Sequence, residues 1–193
     1  SVIEPSFGMG RILYSLLEHS FYQRDMDAQR CVMRFNPKVA PNKCAVLPIS
    51  SSPECNAVVD EIAAALMEND LSTRVDKSTA ALGRRYARAD EIGVPFAVTV
   101  DFDTLTDGTV TIRERDSMLQ VRLPKADVAN IIYDIVHGRT DWEQVMKKHP
   151  VVQVDDGEGG APTSASDLQG EKNVVVVSNS RGRFSRPAES LVK

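Results

Sequence analysis

The hydrophobic pattern of residues 39–137 changes repeatedly between the spacing of strands and the spacing of helices. Residues 43–49 form a run with β-branched side chains between two prolines, which predicts a strand. Ser52 and Pro53 then begin a helix, since serine is a favoured cap and proline a favoured first helical residue. The same reasoning predicts strands at 73–76, 95–102, 109–115 and 120–123, and helices at 80–92, 124–138 and 141–149.

The resulting order of elements is β-α-β-α-β-β-β-α, followed by one short helix. This order predicts the α/β class, with a mixed β-sheet flanked by helices. Residues 36–149 are long enough to bury one such core.

A separate helix is predicted at the start of the chain, where Ile12, Leu16 and Phe21 recur on one broad apolar face. A helix of this kind needs a large partner surface, and the polar stretch 22–31 does not provide one. We therefore assign residues 1–35 to a different domain, and residues 150–193, which are rich in Gly, Ser and Asp, to a flexible tail.

Composition limits the choice of function. The chain has 193 residues and a net charge of −4, which argues against a nucleic-acid coat protein and leaves room only for a local basic patch. Its 3 cysteines form no C-x-x-C pair, so a disulfide framework and a structural zinc site are not expected. No apolar run is long enough to span a membrane, and no membrane partner is expected.

The first candidate for chemistry is Gly8, Gly10 and Arg11, which precede the first helix. Glycines at a helix N-terminus let an anion approach the backbone, and a guanidinium can pair with phosphate or stack on a base. Glu4 is suited to an ammonium group. The alternative is a glycine turn that leads into a core helix.

The second candidate is the basic helix 80–92, in which Arg84, Arg85 and Arg88 share one sector and Tyr86 lies between them. Arginine binds phosphates, tyrosine stacks on bases, and carboxylates accept from the cytosine amine. The alternative is a solvated helix face laced with salt bridges.

A third candidate joins Asp101 and Asp103 to the charged residues 113–116 across a hairpin. Paired carboxylates could hold a metal or transfer protons. Charge pairing between neighbouring strands is the simpler interpretation, and we prefer it. Spacing suggests no metal ligand set and no catalytic triad.

The segment VIEPSFGMGRILYSLLEHSF closely resembles the third signature motif of class II aminoacyl-tRNA synthetases, in the form of the eukaryote-type glycyl-tRNA synthetases. VAPNKCAVLPIS, GRRYARADEIGVPFAVTVDFDTL and VTIRERDSMLQVR resemble the anticodon-binding domain of the same family. The resemblance covers residues 1–149 in order. It implies that residues 1–35 contain the last strand and helix of the catalytic domain, and that residues 36–149 are the anticodon-binding domain. It implies a glycine–tRNA ligase that uses ATP with Mg²⁺, binds glycine tRNA and forms a homodimer through its catalytic domain.

The resemblance also implies roles for particular residues. Glu4 and Ser6, with Pro5 between them, would contact glycine, while Gly8, Gly10 and Arg11 would contact ATP. The anticodon of glycine tRNA carries cytosines at its second and third positions. For phosphate or stacking contacts with this anticodon we select Arg84, Arg85 and Arg88. Glu91 or Asp103 would accept a hydrogen bond from a cytosine amine, and Arg113 would donate to a cytosine edge.

The first two class II motifs do not occur in these residues. The resemblance therefore implies the carboxy-terminal part of a ligase, which alone does not make glycyl-adenylate. A non-catalytic anticodon-domain module that binds RNA is the alternative, and a small phosphate-binding α/β enzyme is a third interpretation. We expect a cytoplasmic location, with a mitochondrial form as a second expectation from the family.

Overall fold

The computed structural model describes residues 1–24, 27–155 and 174–178. Its strands and helices, in chain order, are α1 Met9–Ser20, β1 Phe21–Arg24, β2 Asp27–Met33, β3 Cys44–Pro48, α2 Pro53–Glu68, β4 Thr73–Val75, α3 Leu82–Glu91, β5 Phe96–Val100, α4 Thr104–Asp107, β6 Thr109–Glu114, β7 Gln120–Pro124, α5 Val128–Val136, α6 Trp142–Lys148, β8 Val151–Asp155 and β9 Val174–Ser178. None of the described helices is long and apolar enough to cross a membrane.

The main sheet has the strand order β4-β3-β5-β6-β7-β8-β9. Strands β4, β3 and β5 run parallel, β5 to β8 are antiparallel neighbours, and β9 runs parallel to β8. The mixed α/β fold is thus confirmed, and so is the order of elements predicted between residues 43 and 149. One short helix, α4, was not predicted; it lies between β5 and β6, and Gly108, which follows it directly, has φ +71°.

Helices cover both faces of this sheet. Helices α2, α5 and α6 pack on one face, where alternate strand positions such as Val46, Val98 and Ile112 are buried. Helix α3 packs on the other face against Ala45 and Leu47 of β3 and Ala97 of β5. The small residues beneath α3 let the helix lie close to the sheet, while the first face holds the larger core.

Residues 22–24 and 27–31, for which no element was predicted, form most of the paired strands β1 and β2. Strand β2 packs on α3, and its Val32 is completely buried. Arg24 donates a hydrogen bond to Asp90 at 3.0 Å, which ties β1 to the same helix. The division of the chain at residue 35 stays a prediction, and these contacts favour a division closer to residue 20.

Residues 1–8 contain no regular secondary structure, so the strand predicted ahead of the first helix is not present in them. They are exposed, and none of the strands that the structure describes pairs with them. Helix α1 forms as predicted but begins earlier, at Met9. Its apolar side chains Ile12, Leu13 and Tyr14 are exposed, in agreement with the expected need for a partner surface.

The region predicted as a flexible tail contributes two strands to the main sheet. Strand β8 pairs with β7 through Val151 and Val152, because β7 would otherwise leave its backbone groups open at the sheet edge. This corrects the prediction for residues 151–155 and 174–178. Residues 156–173 and 179–193 lie outside the described residues.

Candidate nucleic-acid interface

The ends of three parallel strands form one rim of the molecule. The Ile49 N–H donates to the carbonyl oxygen of Val100 at 2.8 Å, and the Asp76 N–H donates to that of Val46 at 3.2 Å. These bonds hold the ends of β3, β5 and β4 side by side. We call this rim the carboxyl edge and define it as residues 49–51, 76–81 and 101–103.

The carboxyl edge exposes apolar side chains among polar ones. Phe102 is 59% exposed and Ile49 is 37% exposed. Phe102 was predicted to be the last residue of a strand, but β5 ends at Val100, and the Phe102 side chain is exposed outside the core. An exposed aromatic ring of this kind can stack on a nucleobase.

A cluster of carboxylates around Arg122 continues the carboxyl edge. The guanidinium binds the Asp101 carboxylate with two hydrogen bonds of 2.8 and 3.1 Å, and its Nε donates to Thr109 at 2.6 Å. Asp103 and Asp107 each lie 3.9 Å from Nη2 of Arg122. The partner of Asp101 is therefore Arg122, and not the charged residues 113–116 that the hairpin pattern indicated.

The pKa values of the two outer carboxylates of this cluster, Asp103 and Asp107, are shifted in opposite directions. Burial and the neighbouring charge of Asp101 raise the pKa of Asp103, and they outweigh the attraction of Arg122. Burial would also raise the pKa of Asp107, but hydrogen bonds from Thr109 and the charge of Arg122 outweigh it and lower that pKa. Asp103 is half-buried, so its outer face is open to a partner.

Two of the three arginines selected in α3 reach the surface. Arg84 is exposed. Arg88 is exposed and donates to Ser78 Oγ at 2.7 Å, with the Asp76 carboxylate at 3.2 Å. Arg85 is only 4% exposed, because it points toward the sheet and donates to the carbonyl oxygen of Pro48 at 2.6 Å. The three arginines therefore do not share one solvent-facing sector.

Arg113 lies in the interior, which corrects its assignment as a donor to an RNA base. It binds Asp90 through two hydrogen bonds of 3.0 and 3.2 Å, and its guanidinium lies 4.8 Å from the ring centre of Tyr86. Burial alone would lower the pKa of Arg113, but the Asp90 carboxylate outweighs it and raises that pKa. With its donors occupied and its side chain enclosed, Arg113 supports the fold.

Glu91 and Asp103, the two selected carboxylate acceptors, lie at different ends of the molecule. Glu91 is exposed at the last residue of α3, and the chain from there leads into the start of β5. Asp103 follows the end of the same strand. Arg84, Arg88 and Asp103 therefore lie toward the carboxyl ends of the parallel strands, and Glu91 lies toward their amino ends.

The segment before α1 is open to solvent. Glu4, Pro5, Ser6 and Arg11 are all exposed. Gly8 caps the helix with φ −78°, a value that any residue adopts, and a side chain at Gly10 would meet nothing within 4 Å. The backbone therefore requires glycine at neither position, and α1 is not a core helix in the described structure. Both observations disfavour the interpretation as a glycine turn into a core.

Reasoning from the sequence missed two groups, Ser78 at the carboxyl edge and Arg122, which binds Asp101 of that edge. Arg122 alternates with Val121 and Leu123 in β7, a period-two pattern that places its side chain on the face opposite the larger core. Its partners follow other strands and needed the strand pairing to be found. No group of three or more His, Cys, Asp or Glu residues capable of holding a metal occurs among the residues that the structure describes.

The α/β unit with this edge belongs to a known class. Residues 43–135 match the family model described as "Anticodon binding domain", and they belong to that family. Over a longer stretch, which exceeds that domain, the chain is similar to glycine–tRNA ligases. It is 53% identical over 151 residues to the enzyme of Bombyx mori, a match that covers 78% of this chain and 21% of the relative.

Other glycine–tRNA ligases give the same result. The chain is 48% identical over 154 residues to the Drosophila melanogaster protein, with 79% of this chain and 20% of that one covered. It is 46% identical over 147 residues to "Glycine--tRNA ligase 1, mitochondrial" of Saccharomyces cerevisiae, with 76% and 21% covered. The chain thus spans about a fifth of the length of the curated relatives it matches.

Proposed function

We propose that this chain is the part of a glycine–tRNA ligase that binds the anticodon of glycine tRNA, and that the carboxyl edge is the RNA-binding surface. The observation that carries the proposal is an exposed aromatic ring, Phe102, on the same rim as the half-buried carboxyl group of Asp103 and next to the exposed arginines of α3. Stacking, amine recognition and phosphate binding are the three contacts that single-stranded RNA requires.

Each group has a distinct task in this proposal. Phe102 stacks on an unpaired base of the anticodon loop. Asp103 accepts a hydrogen bond from the exocyclic amine of a cytosine, which a uracil cannot donate. Arg84 and Arg88 bind backbone phosphates, and Arg88 is held in place for this by Ser78 and Asp76. The local positive charge of α3 lets a chain with net negative charge bind RNA.

The segment before α1 belongs to the ligase site in the same proposal. The carboxylate of Glu4 suits the ammonium group of glycine, with Ser6 beside it, and Arg11 suits the adenine face and phosphates of ATP. Gly8 and Gly10 let the nucleotide approach the backbone. ATP, with Mg²⁺ as its counterion, would supply the adenylyl group that activates glycine: the glycine carboxylate would bond to the α-phosphorus and pyrophosphate would leave. These roles, and a homodimer, are proposed for a full-length ligase.

A non-catalytic RNA-binding module is the second candidate. Glycines 8 and 10, which the backbone does not need, favour the ligase, because a module freed from catalysis has no use for them. Reading the coding sequence upstream of Ser1 decides between the two: the second class II motif is present there for a ligase and missing for a module.

Binding of anticodon RNA tests the central proposal. The 193-residue chain is titrated with a fluorescent anticodon stem-loop of glycine tRNA, and with the same stem-loop carrying uridine in place of the second and third anticodon cytosines. Fluorescence anisotropy is expected to show about tenfold or greater preference for the cytosine form, as for loss of one or more base contacts. Equal affinity for the two RNAs overturns the assignment of an anticodon reader.

Location is a further part of the proposal. One relative carries the word mitochondrial in its name and another from the same yeast does not. We infer a cytoplasmic form and a mitochondrial form for this protein too. Immunoblots of purified cytosol and protease-treated mitochondria test the inference, and signal confined to one fraction contradicts it.

A further inference from the structure

A cavity of about 350 Å³ opens between the end of β3 and the start of α3. Pro48, Ile49 and Ser51 form one side, and residues 78–82 with Arg85 form the other. This volume is within the range of pockets that take small ligands. The cavity lies within the carboxyl edge, yet none of the RNA contacts proposed above fills it.

The first turn of α3 presents unused donors to this cavity. Ala81, the residue before the helix, provides no side-chain cap, and the first turn carries no acidic residue. The N–H groups of Arg84 and Arg85 bond to the carbonyl oxygen of Ala81. Those of Leu82 and Gly83 have no acceptor among residues 1–24, 27–155 and 174–178. Such N–H groups, with the partial positive charge of the helix end, attract anions.

Arg85 is a second and independent feature of the cavity. Its side chain is buried, yet it uses only Nη1, which donates to the carbonyl oxygens of Pro48 at 2.6 Å and Asp76 at 3.5 Å. Its Nε is buried without an acceptor, and Nη2 makes no hydrogen bond to any part of the chain that the structure describes. Nη2 is therefore a charged donor that no described group of the chain uses, and such a donor binds an oxygen acceptor of a ligand strongly.

The charges around the cavity favour a negative ligand. Asp76 is the nearest acid along the rim, and its carboxylate is engaged by Arg88 at 3.2 Å and by the Ser78 N–H at 3.0 Å. Burial would raise the pKa of Asp76, but the Ser78 hydrogen bonds and the charge of Arg88 outweigh it and lower that pKa. The Asp76 charge also attracts Arg85, but its carboxylate is bound by Ser78 and Arg88, so Arg85 makes no ion pair of its own among the described residues.

From this arrangement we propose that the cavity is a phosphoryl-binding subsite, formed by the uncapped N-terminus of α3 and the guanidinium of Arg85, which takes a backbone phosphate of the bound RNA. The inference rests on the proposed function for the identity of the RNA. Inorganic phosphate has the same chemistry and is the alternative occupant that the experiment separates.

The substitution Ala81→Asp tests the subsite directly. Ala81 is exposed and its backbone has φ −52° and ψ 144°, so an aspartate there can cap the helix and place a carboxylate where the phosphate would lie. The variant is expected to melt at the same or a higher temperature than the original chain. Ala64→Asp, on the exposed side of α2, adds the same charge far from the cavity and is the matched control.

Two measurements follow on the original chain and both variants. In nuclear magnetic resonance titrations with inorganic phosphate, the Leu82 and Gly83 amide signals are expected to shift in the original chain and in Ala64→Asp, and to stay unchanged in Ala81→Asp. In anisotropy titrations with the glycine anticodon stem-loop, Ala81→Asp is expected to bind at least about fivefold more weakly than Ala64→Asp. Its salt dependence, as the slope of log K against log salt, is expected to fall by about 0.7 to 1.

The outcomes separate this inference from the proposed function. If Ala81→Asp binds the stem-loop as tightly as Ala64→Asp, the RNA subsite is wrong, even where phosphate still shifts the amides; that combination assigns the cavity to a free anion. Unshifted amides in the original chain overturn the subsite altogether. If the cytosine and uridine stem-loops bind equally well but Ala81→Asp weakens both, the anticodon proposal fails and the phosphoryl subsite stands.

Discussion

The guanidinium of Arg113 and the carboxylate of Asp90 form a buried two-point ion pair, with hydrogen bonds of 3.0 and 3.2 Å. The pair joins β6 to α3, and Arg24 of the β1–β2 hairpin donates to the same carboxylate. One aspartate therefore holds together three parts of the chain. A paired charge of this kind contributes little beyond its desolvation cost, but breaking it leaves unpaired charges in the interior.

Replacing this aspartate should destabilise the fold strongly. For Asp90→Asn we expect a loss of about 3–5 kcal/mol in the free energy of unfolding, because the buried Arg113 and the partly buried Arg24 lose their counterion. Urea denaturation followed by circular dichroism measures it. Asp60→Asn, which removes an exposed carboxylate from Lys77, is the control and should change stability by less than about 1 kcal/mol. Similar losses in the two variants would contradict the role of Asp90.

Gly93 is required where the hairpin meets the end of α3. It has φ +78°, and a Cβ there would lie 2.2 Å from a ring carbon of Phe35. Gly93→Ala should therefore cost about 2–5 kcal/mol, from left-handed strain and overpacking together. Gly108 has φ +71° with nothing within 4 Å of such a Cβ, so Gly108→Ala should cost about 1 kcal/mol. Equal losses in thermal unfolding would show that the hairpin does not pack as described.

The two outer carboxylates beside Arg122 should respond oppositely to pH. Since the pKa of Asp103 is raised in the folded protein, ionisation there opposes folding, and stability falls as pH rises through that pKa. Asp103→Asn should therefore stabilise the protein at pH 7. The pKa of Asp107 is lowered, so its ionised form favours folding and its contribution disappears as pH falls through that pKa.

Asp107→Asn should accordingly destabilise the protein at pH 7, and both effects should stay below about 1 kcal/mol because the side chains are partly solvated. Urea unfolding at pH 7 and near pH 2 measures them, with each variant compared with the original chain at the same pH. Both differences should disappear in acid. Stabilisation by Asp103→Asn that persists near pH 2 would mean that its cause is not ionisation.

Arg88 should contribute to RNA binding. Arg88→Ala is expected to weaken binding of the glycine anticodon stem-loop by about 1–3 kcal/mol, because a guanidinium that reaches the RNA is lost. Arg139→Ala is the control, since Arg139 is exposed beyond the end of α5 and its contacts are with Asp134 and Tyr133. Anisotropy titrations at two salt concentrations measure the change. A loss of affinity in both variants by the same factor would assign the effect to net charge.

The 193-residue chain should not activate glycine by itself. Glu4, Ser6 and Arg11 are exposed, and the resemblance places the remaining walls of the pocket in motifs that these residues do not contain. Glycine-dependent exchange of pyrophosphate into ATP is therefore expected to stay at the level of a reaction without protein. Exchange above that level, lost in Arg11→Ala, would refute this expectation.

The pattern of the sequence was sufficient for the elements whose period was clear. Helices α2, α3 and α5 bury one face each, and β6 and β7 place apolar residues at alternate positions, so their spacing marks them directly. Strands β3 and β5 are buried on both faces and stand out as short, continuous apolar runs. The β1–β2 hairpin was not predicted, because much of it is polar and its stability comes from packing on α3 and from the Arg24 ion pair. Strands β8 and β9 were not predicted, because they form by pairing at a sheet edge with strands that are distant in sequence.

The candidate site divides in the same way. Residue type, local spacing and the family resemblance make Glu4, Arg11, Arg88 and Asp103 candidates, and their roles stay predictions; charge and local spacing are properties of the chain itself. Tertiary structure alone decided that Arg85 and Arg113 turn inward, because a helix sector or strand face acquires its environment only from what packs against it. For the same reason, only the packing of α3 on the assembled sheet could place the donors of Arg85 beside the uncapped N-terminus of that helix.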